Sequence, residues 1–150
     1  KGDTVHITHE EMTRFWVTFD ASHKLVSAAL SGMVGGEIYV PKLPSMKLAD
    51  LFDTLTKNRS RKTIGLRPGE RMHEILITEE ESSRSFDAGS HYIILPHRFD
   101  AKTAGRFAPY LKKHKRLKEG FVFGSDTNTD WLSGDDLKKI LQGEQSKHLA

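Results

Sequence analysis

The sequence predicts an α/β fold, and three observations carry that expectation. Short runs rich in β-branched and aromatic residues alternate with segments of helical periodicity through the first 70 residues, in the order β-β-α-β-α-β. Capping residues before the helical segments and glycine or proline at element ends separate the two kinds of segment. There is no internal repeat and no low-complexity stretch to suggest another architecture.

Taken in order, Val5-His6-Ile7-Thr8 alternates as a short strand, and Arg14 to Phe19 reads as a second. Asp20 is placed to cap a helix from Ala21 to Leu30. Its positions Ala21, Leu25, Val26, Ala28, Ala29 and Leu30 keep helical spacing, and Gly32, Gly35 and Gly36 close it. Glu37 to Val40 is a strand stopped by Pro41. Pro44-Ser45 opens a second helix, with Ser45 as its cap and Leu48, Leu51, Phe52 and Leu55 as its apolar stripe. A basic loop over 57–62 leads to a strand from Thr63 to Leu66. Arg71 to Ile77 reads as either a short helix or a strand, with the apolar run Tyr92 to Leu95 as its prospective partner. Thr78 to Ser83 is a polar loop or a helix start, and between His97 and Glu119 the sequence suggests little beyond a basic helix. Ser133 caps the last helix. Asp135 and Asp136 in its first turn, with Lys138 and Lys139 after them, follow the charge order that suits a helix dipole.

The length of 150 residues suits one domain, 1–150, with a sizeable core. Charge is nearly balanced, 23 basic against 20 acidic residues, and much of the excess sits in the block Lys112 to Lys118. That block has no aromatic inside it, so it reads as a solvated face, and no nucleic-acid partner is expected. No run approaches the ~18 apolar residues of a membrane span. The lack of cysteine excludes disulfides and thiolate metal sites, and fits a reducing, cytoplasmic setting. The start, Lys1-Gly2-Asp3-Thr4, has neither an initiator Met nor an apolar leader, and is expected to be a cut through a longer chain.

Chemistry concentrates at Arg67-Pro68-Gly69-Glu70-Arg71. Arg67 carries a fork of donors that matches phosphate oxygens. Pro68-Gly69 makes a tight turn over which backbone can approach a ligand, and Glu70 can accept from the vicinal hydroxyls of a ribose. The same five residues also suit a plain surface turn with an Arg–Glu pair. Catalytic signatures are absent: there is no G-x-G-x-x-G, no G-x-S-x-G and no H-E-x-x-H. Tyr39, Tyr92 and Tyr110 are followed four residues later by Leu43, Pro96 and His114, so no Tyr-x-x-x-Lys pair exists. His6 and His9, with Glu10 and Glu11, fall on opposite faces of a strand and read as an exposed loop, with no metal site expected. His73-Glu74 reads as a surface or supporting pair. Arg14 becomes a ligand contact only if the fold brings it beside Arg67.

Four ordered motifs resemble a known family. They are Met12-Thr13-Arg14-Phe15-Trp16, the run Gly35 to Met46, the run Ile64 to Glu74, and the tail Ser125 to Leu132. In order and spacing they resemble the C-terminal part of the inverting UDP-N-acetylglucosamine 4,6-dehydratases, within the extended short-chain dehydrogenase/reductase family. The resemblance implies the C-terminal, substrate-binding portion of an extended Rossmann-type fold, built of mixed short strands and helices, with the N-terminal Rossmann part absent. In that family the sugar is oxidised at C4 by hydride transfer to NADP, loses water across C5 and C6, and receives the hydride back at C6. The cofactor and the catalytic residues belong to the N-terminal part, so no catalytic and no cofactor-binding residue is carried over to this chain.

The resemblance assigns Arg14 and Arg67 to the UDP diphosphate and Glu70 to the uridine ribose. Lys42 and His73 lie inside matching motifs without a role. It further implies a lyase of surface polysaccharide biosynthesis that is homo-oligomeric at full length, and a present chain that is inactive alone. The alternative is a non-enzymatic binding or assembly module derived from this family. A chain cut from its larger sheet is also expected to expose apolar surface.

Overall fold

A computed structural model describes residues 4–56, 59–97 and 105–148. They form mixed α/β structure of short strands and short helices, divided into two compact units. The first comprises Lys1–Trp16, Leu43–Glu74 and Gly124–Ala150; the second comprises Val17–Lys42 and Ile75–Phe123.

In the first unit, β1 (Thr4–Ile7) pairs in parallel with β5 (Ser60–Thr63). The strand expected at Thr63 to Leu66 is therefore displaced three residues upstream. Its ladder to β1 begins at Thr4↔Ser60 and closes with Ile64 N donating to Ile7 O at 2.9 Å. Ile64 and Leu66 are left about half exposed on the approach to the Arg67 turn. The antiparallel pair of β2 (Thr13–Phe15) and β4 (Ser45–Lys47) sets Arg14 opposite Met46.

The second predicted strand ends at Phe15 rather than at Phe19, and the cause is Pro44. It stands next along the partner strand, where it accepts from Trp16 N at 2.9 Å but has no amide to return. Ser45 is likewise a strand residue, not the cap of the second helix. It is fully buried, bridged to Trp131, and its backbone bonds Asp130 O and Leu132 N at 2.8 Å each. Helix α2 (Leu48–Thr56) starts three residues later, and its Leu48, Leu51 and Phe52 are half-buried while Leu55 is exposed. The basic loop expected before β5 lies partly outside the described residues, at 57–58. The last helix, α5 (Gly134–His148), begins as the sequence indicates, with Asp136 N donating to Ser133 Oγ at 3.2 Å.

In the second unit, α1 (Phe19–Gly32) is capped by Thr18, whose hydroxyl accepts from Ala21 N at 3.2 Å. Asp20, the expected cap, sits inside the first turn. Ala21, Leu25, Ala28 and Ala29 form the half-buried stripe, whereas Val26 and Leu30 are 55% and 72% exposed and Phe19 77%. The helix thus keeps its periodicity while presenting a second apolar face to solvent.

The sheet is antiparallel, in the order β3 (Ile38–Pro41), β8 (His91–Ile94), β7 (Ser85–Asp87), β9 (Lys115–Arg116). The Arg71 to Ile77 segment resolves as a strand, β6 (Ile75–Ile77). Its partner is β10 (Phe123–Gly124) and not the Tyr92 run, because both edges of β8 are already taken by β3 and β7. Thr78 opens the short helix α3 (Glu79–Ser82) through a capping box with Glu81. A 3₁₀ turn (Gly105–Phe107) and α4 (Ala108–Lys113) follow, and Phe86, Ile93, Leu95, Phe107 and Tyr110 make the core.

Glu37 joins α1 to β3. Its carboxylate accepts from Val34 N and from Gly35 N, the latter at 2.7 Å, and lies 2.8 Å from the Tyr110 hydroxyl. Burial pushes its pKa up, but the amides of Val34, Glu37 and Gly35 and the Tyr110 hydroxyl outweigh burial and hold it below its ordinary value. A depressed carboxyl stabilises the fold above its unfolded pKa, and that stability is lost as pH falls through the folded value, here below 4.5. Denaturation midpoints measured from pH 7 to pH 3 should therefore decline at the acid end, and Glu37→Gln should flatten that decline. An unchanged acid limb in the variant would remove Glu37 from the account.

Candidate functional site

The site grows from the turn that follows β5. Glu70 N donates to Arg67 O at 3.0 Å, and Gly69 takes φ +80°, which with Pro68 before it is a type II turn. A side chain at position 69 would be strained by that φ whatever the space around it. Glu70 closes the turn from the other side. Its Oε2 accepts from Arg67 N at 3.0 Å, and its Oε1 accepts from Thr8 Oγ1 at 3.3 Å. Each carboxylate oxygen keeps a second lone pair for a further donor. The Arg67 guanidinium, in contrast, is exposed and has no hydrogen-bond or ion-pair partner among the described residues.

Arg14 reaches the same loop from β2. Its Nη1 donates to Thr13 O at 2.7 Å and to Met72 O at 3.1 Å, and its Nη2 donates to Arg71 O at 3.0 Å. Its Nε lies 3.8 Å from Glu74 Oε1. The fold therefore brings Arg14 onto the backbone immediately after Glu70, although 56 positions separate it from Glu70 in the chain. Most of its fork is engaged in holding that backbone, which makes it a clamp on the loop first.

Beneath the clamp lies a buried polar network that sequence reasoning did not find. Thr13 Oγ1 is 2.6 Å from Ser125 Oγ and 2.8 Å from His73 Nδ1, and Thr13 and Ser125 are almost wholly buried. Glu74 N donates to Ser125 Oγ at 2.9 Å, Ser125 N returns a bond to Glu74 O at 2.8 Å, and Phe15 N donates to Glu74 Oε2 at 2.8 Å. Three stretches of chain, around residues 13, 73 and 125, are tied together by these bonds. The only signal for them in the sequence was that each lies within one of the four ordered motifs. His73 thereby gains a structural partner, and Lys42 gains one in the second unit, where its Nζ lies 2.7 Å from Asp87 Oδ1.

The sequence profile described as polysaccharide biosynthesis protein matches residues 1–96, which include Arg14, the Arg67 turn and Glu70. The chain belongs to that family. Within it, the chain is 39% identical over 137 residues to the UDP-N-acetylglucosamine 4,6-dehydratase (inverting) of Campylobacter jejuni, a match covering 90% of this chain and 41% of the relative. It is 31% identical over 146 residues to the UDP-glucose 4-epimerase of Rickettsia akari, covering 94% of this chain and 41% of that one. The crystal structure of Pen from Bacillus thuringiensis is similar over 97% of this chain and 41% of its own, at a TM-score of 0.75 and 26% identity. The chain thus spans about two fifths of the length of the curated relatives it matches. Among the described residues no helix is long and apolar enough to cross a membrane.

Three outcomes follow from the geometry. Arg14→Ala frees the carbonyls of Arg71 and Met72 and should cost roughly 1.5–3 kcal/mol of stability, the range for hydrogen bonds to a charged group. Arg67→Ala removes a side chain without partners and should leave the denaturation midpoint within about 0.5 kcal/mol of the parent. Thr13→Val keeps the shape and removes the hydroxyl between His73 and Ser125, and should cost roughly 1–3 kcal/mol. Urea unfolding of the three variants checks all of this, and a destabilised Arg67→Ala beside an unaffected Arg14→Ala would reverse the two roles.

Proposed function

We propose that this chain is the UDP-sugar-binding portion, spanning residues 1–150, of a nucleotide-sugar 4,6-dehydratase that acts on UDP-N-acetylglucosamine in surface polysaccharide or glycan biosynthesis. The observation that carries the reading is the unpartnered Arg67 guanidinium on a turn braced from both sides, by Glu70 within the turn and by Arg14 after it. A cation held ready on fixed backbone loses little freedom when it meets a diphosphate, so more of its interaction appears as affinity. Arg67 is the principal diphosphate contact in this reading. Arg14 offers its remaining Nη2 hydrogen while keeping the loop in place, and the free lone pairs of Glu70 accept from the ribose.

Dehydratase and epimerase relatives share the nucleotide part of their named substrates, UDP joined to a hexose. The reading is therefore firmest for UDP and depends on the sugar only for the choice of reaction. NADP, the hydride acceptor such a reaction needs, does not fit the residues present. The described helices follow Thr18, Lys47, Thr78, Phe107 and Ser133, and none opens from a glycine-rich turn that could cradle a pyrophosphate. NADP is assigned to the remainder of a full-length enzyme, and this chain contributes binding and orientation, through which remote contacts hold a sugar in a reactive pose.

Isothermal titration of the full-length protein with UDP, UDP-N-acetylglucosamine and UDP-glucose tests the proposal. Arg67→Ala should weaken UDP by roughly ten- to a hundredfold, matching the loss of one charge-assisted pair. Glu70→Gln should weaken UDP less, because the amide still offers one acceptor. Equal UDP affinity in the parent and in Arg67→Ala would refute the diphosphate assignment, since that variant is expected to fold normally.

A further inference from the structure

The second unit contains a cleft of about 490 Å³ that the UDP-sugar reading leaves unused. Its volume lies in the range of sites for small organic ligands. One wall is apolar, built by Ala28 of α1, Ala88 and Ile93 of the sheet region, and Pro109 of α4. A flat pair, Tyr39 and His91, stacked with ring centroids 4.9 Å apart, supplies aromatic surface. Lys113 and His114, at the end of α4, also face the cleft.

Two acids stand near this cleft, and both are already engaged. Asp87 is the acid that acts on both His91 and His114, and it is already engaged by Lys42 Nζ at 2.7 Å and by Gly89 N at 2.8 Å. Glu37 is closed off by the Val34 and Gly35 amides and the Tyr110 hydroxyl. Lys113 and the His114 ring have no hydrogen-bond or ion-pair partner among the described residues. Burial, then the charges of His114 and Lys42, lower the His91 pKa against the pull of Asp87. Burial, then Lys113, lower that of His114, again against Asp87. Lys113 thus stands uncompensated at the end of an apolar hollow with the two imidazoles beside it, and an anion seated there would pair with it.

We infer that this cleft binds a small planar organic anion, a one- or two-ring carboxylate or phosphate, with Lys113 and His114 on the charged group and the Ala28, Ile93 and Pro109 wall against the ring. Nuclear magnetic resonance of the His91 and His114 imidazoles tests this, with phenyl phosphate as the probe and inorganic phosphate and phenol as its separate halves. Phenyl phosphate should shift both rings saturably and bind at least fivefold more tightly than either half. Lys113→Gln should weaken it fivefold or more. Lys118→Gln, which removes an exposed charge from the same basic stretch but does not line the cleft, should leave it unchanged. Arg67→Ala should also leave it unchanged, so loss of UDP binding and loss of this site are read separately. Absence of a saturable shift, equal weakening by the two lysine variants, or inorganic phosphate binding as tightly as phenyl phosphate would each overturn the inference.

Discussion

The first unit depends on a hydroxyl pair held out of water. Thr13 Oγ1 and Ser125 Oγ stand 2.6 Å apart across 112 positions of sequence, and the Glu74 amide joins them from a third stretch. A buried hydroxyl without a partner is costly, so each of these groups requires the other two segments to be present. Satisfying them leaves no described buried side-chain polar atom without a hydrogen bond. The network meets Arg14 at the Thr13 carbonyl and the Glu74 carboxylate. It determines where β2 lies relative to residues 72–74, and therefore where the Arg14 guanidinium meets the loop.

Above that network the two arginines divide their work by how many partners they have. Arg14 is tied to three carbonyls, so its position is defined but its remaining capacity is small. Arg67 sits on a turn whose backbone is closed by its own Glu70, so its position along the chain is defined while its fork stays open. Orientation and free valence are thus separated onto different residues. For the proposed diphosphate contact such an arrangement would limit the ordering cost, since the loop is already in place.

The second unit organises itself around another carboxylate. Glu37 draws the turn after α1 together through the Val34 and Gly35 amides and meets the Tyr110 hydroxyl from α4. The same hydroxyl lies 2.6 Å from Gly32 O and 3.1 Å from the Tyr39 hydroxyl. Burial, followed by the hydrogen bonds with Tyr39 and to the Glu37 carboxylate, holds the Tyr110 hydroxyl well above the ordinary phenol range, and it remains a neutral donor. The helix, the sheet and α4 are thereby set at the spacing that leaves the cleft between them. Phe19, Val26 and Leu30 of α1 lie exposed on this unit.

Local chemistry alone determined the α/β character, the presence of several elements, and the turn at Pro68-Gly69. Periodicity, caps and the conformations open to proline and glycine are properties of a few neighbouring residues. The periodicity of α1, the Ser133 start of the last helix and the strand over residues 38–40 were legible for that reason, although that strand runs on through Pro41. The boundaries that shifted were those decided by partners distant in sequence. Ser45 has the composition of a cap but was drawn into a ladder with Phe15 and Trp131. The second strand stopped at Phe15 because a proline without an amide stood opposite the next residue. The meeting of Arg14 with the Arg67 loop, the Thr13–Ser125 contact and the placing of Lys113 and His114 over an apolar hollow belong to tertiary structure, because each depends on which surfaces pack together, and no short window of sequence contains that information.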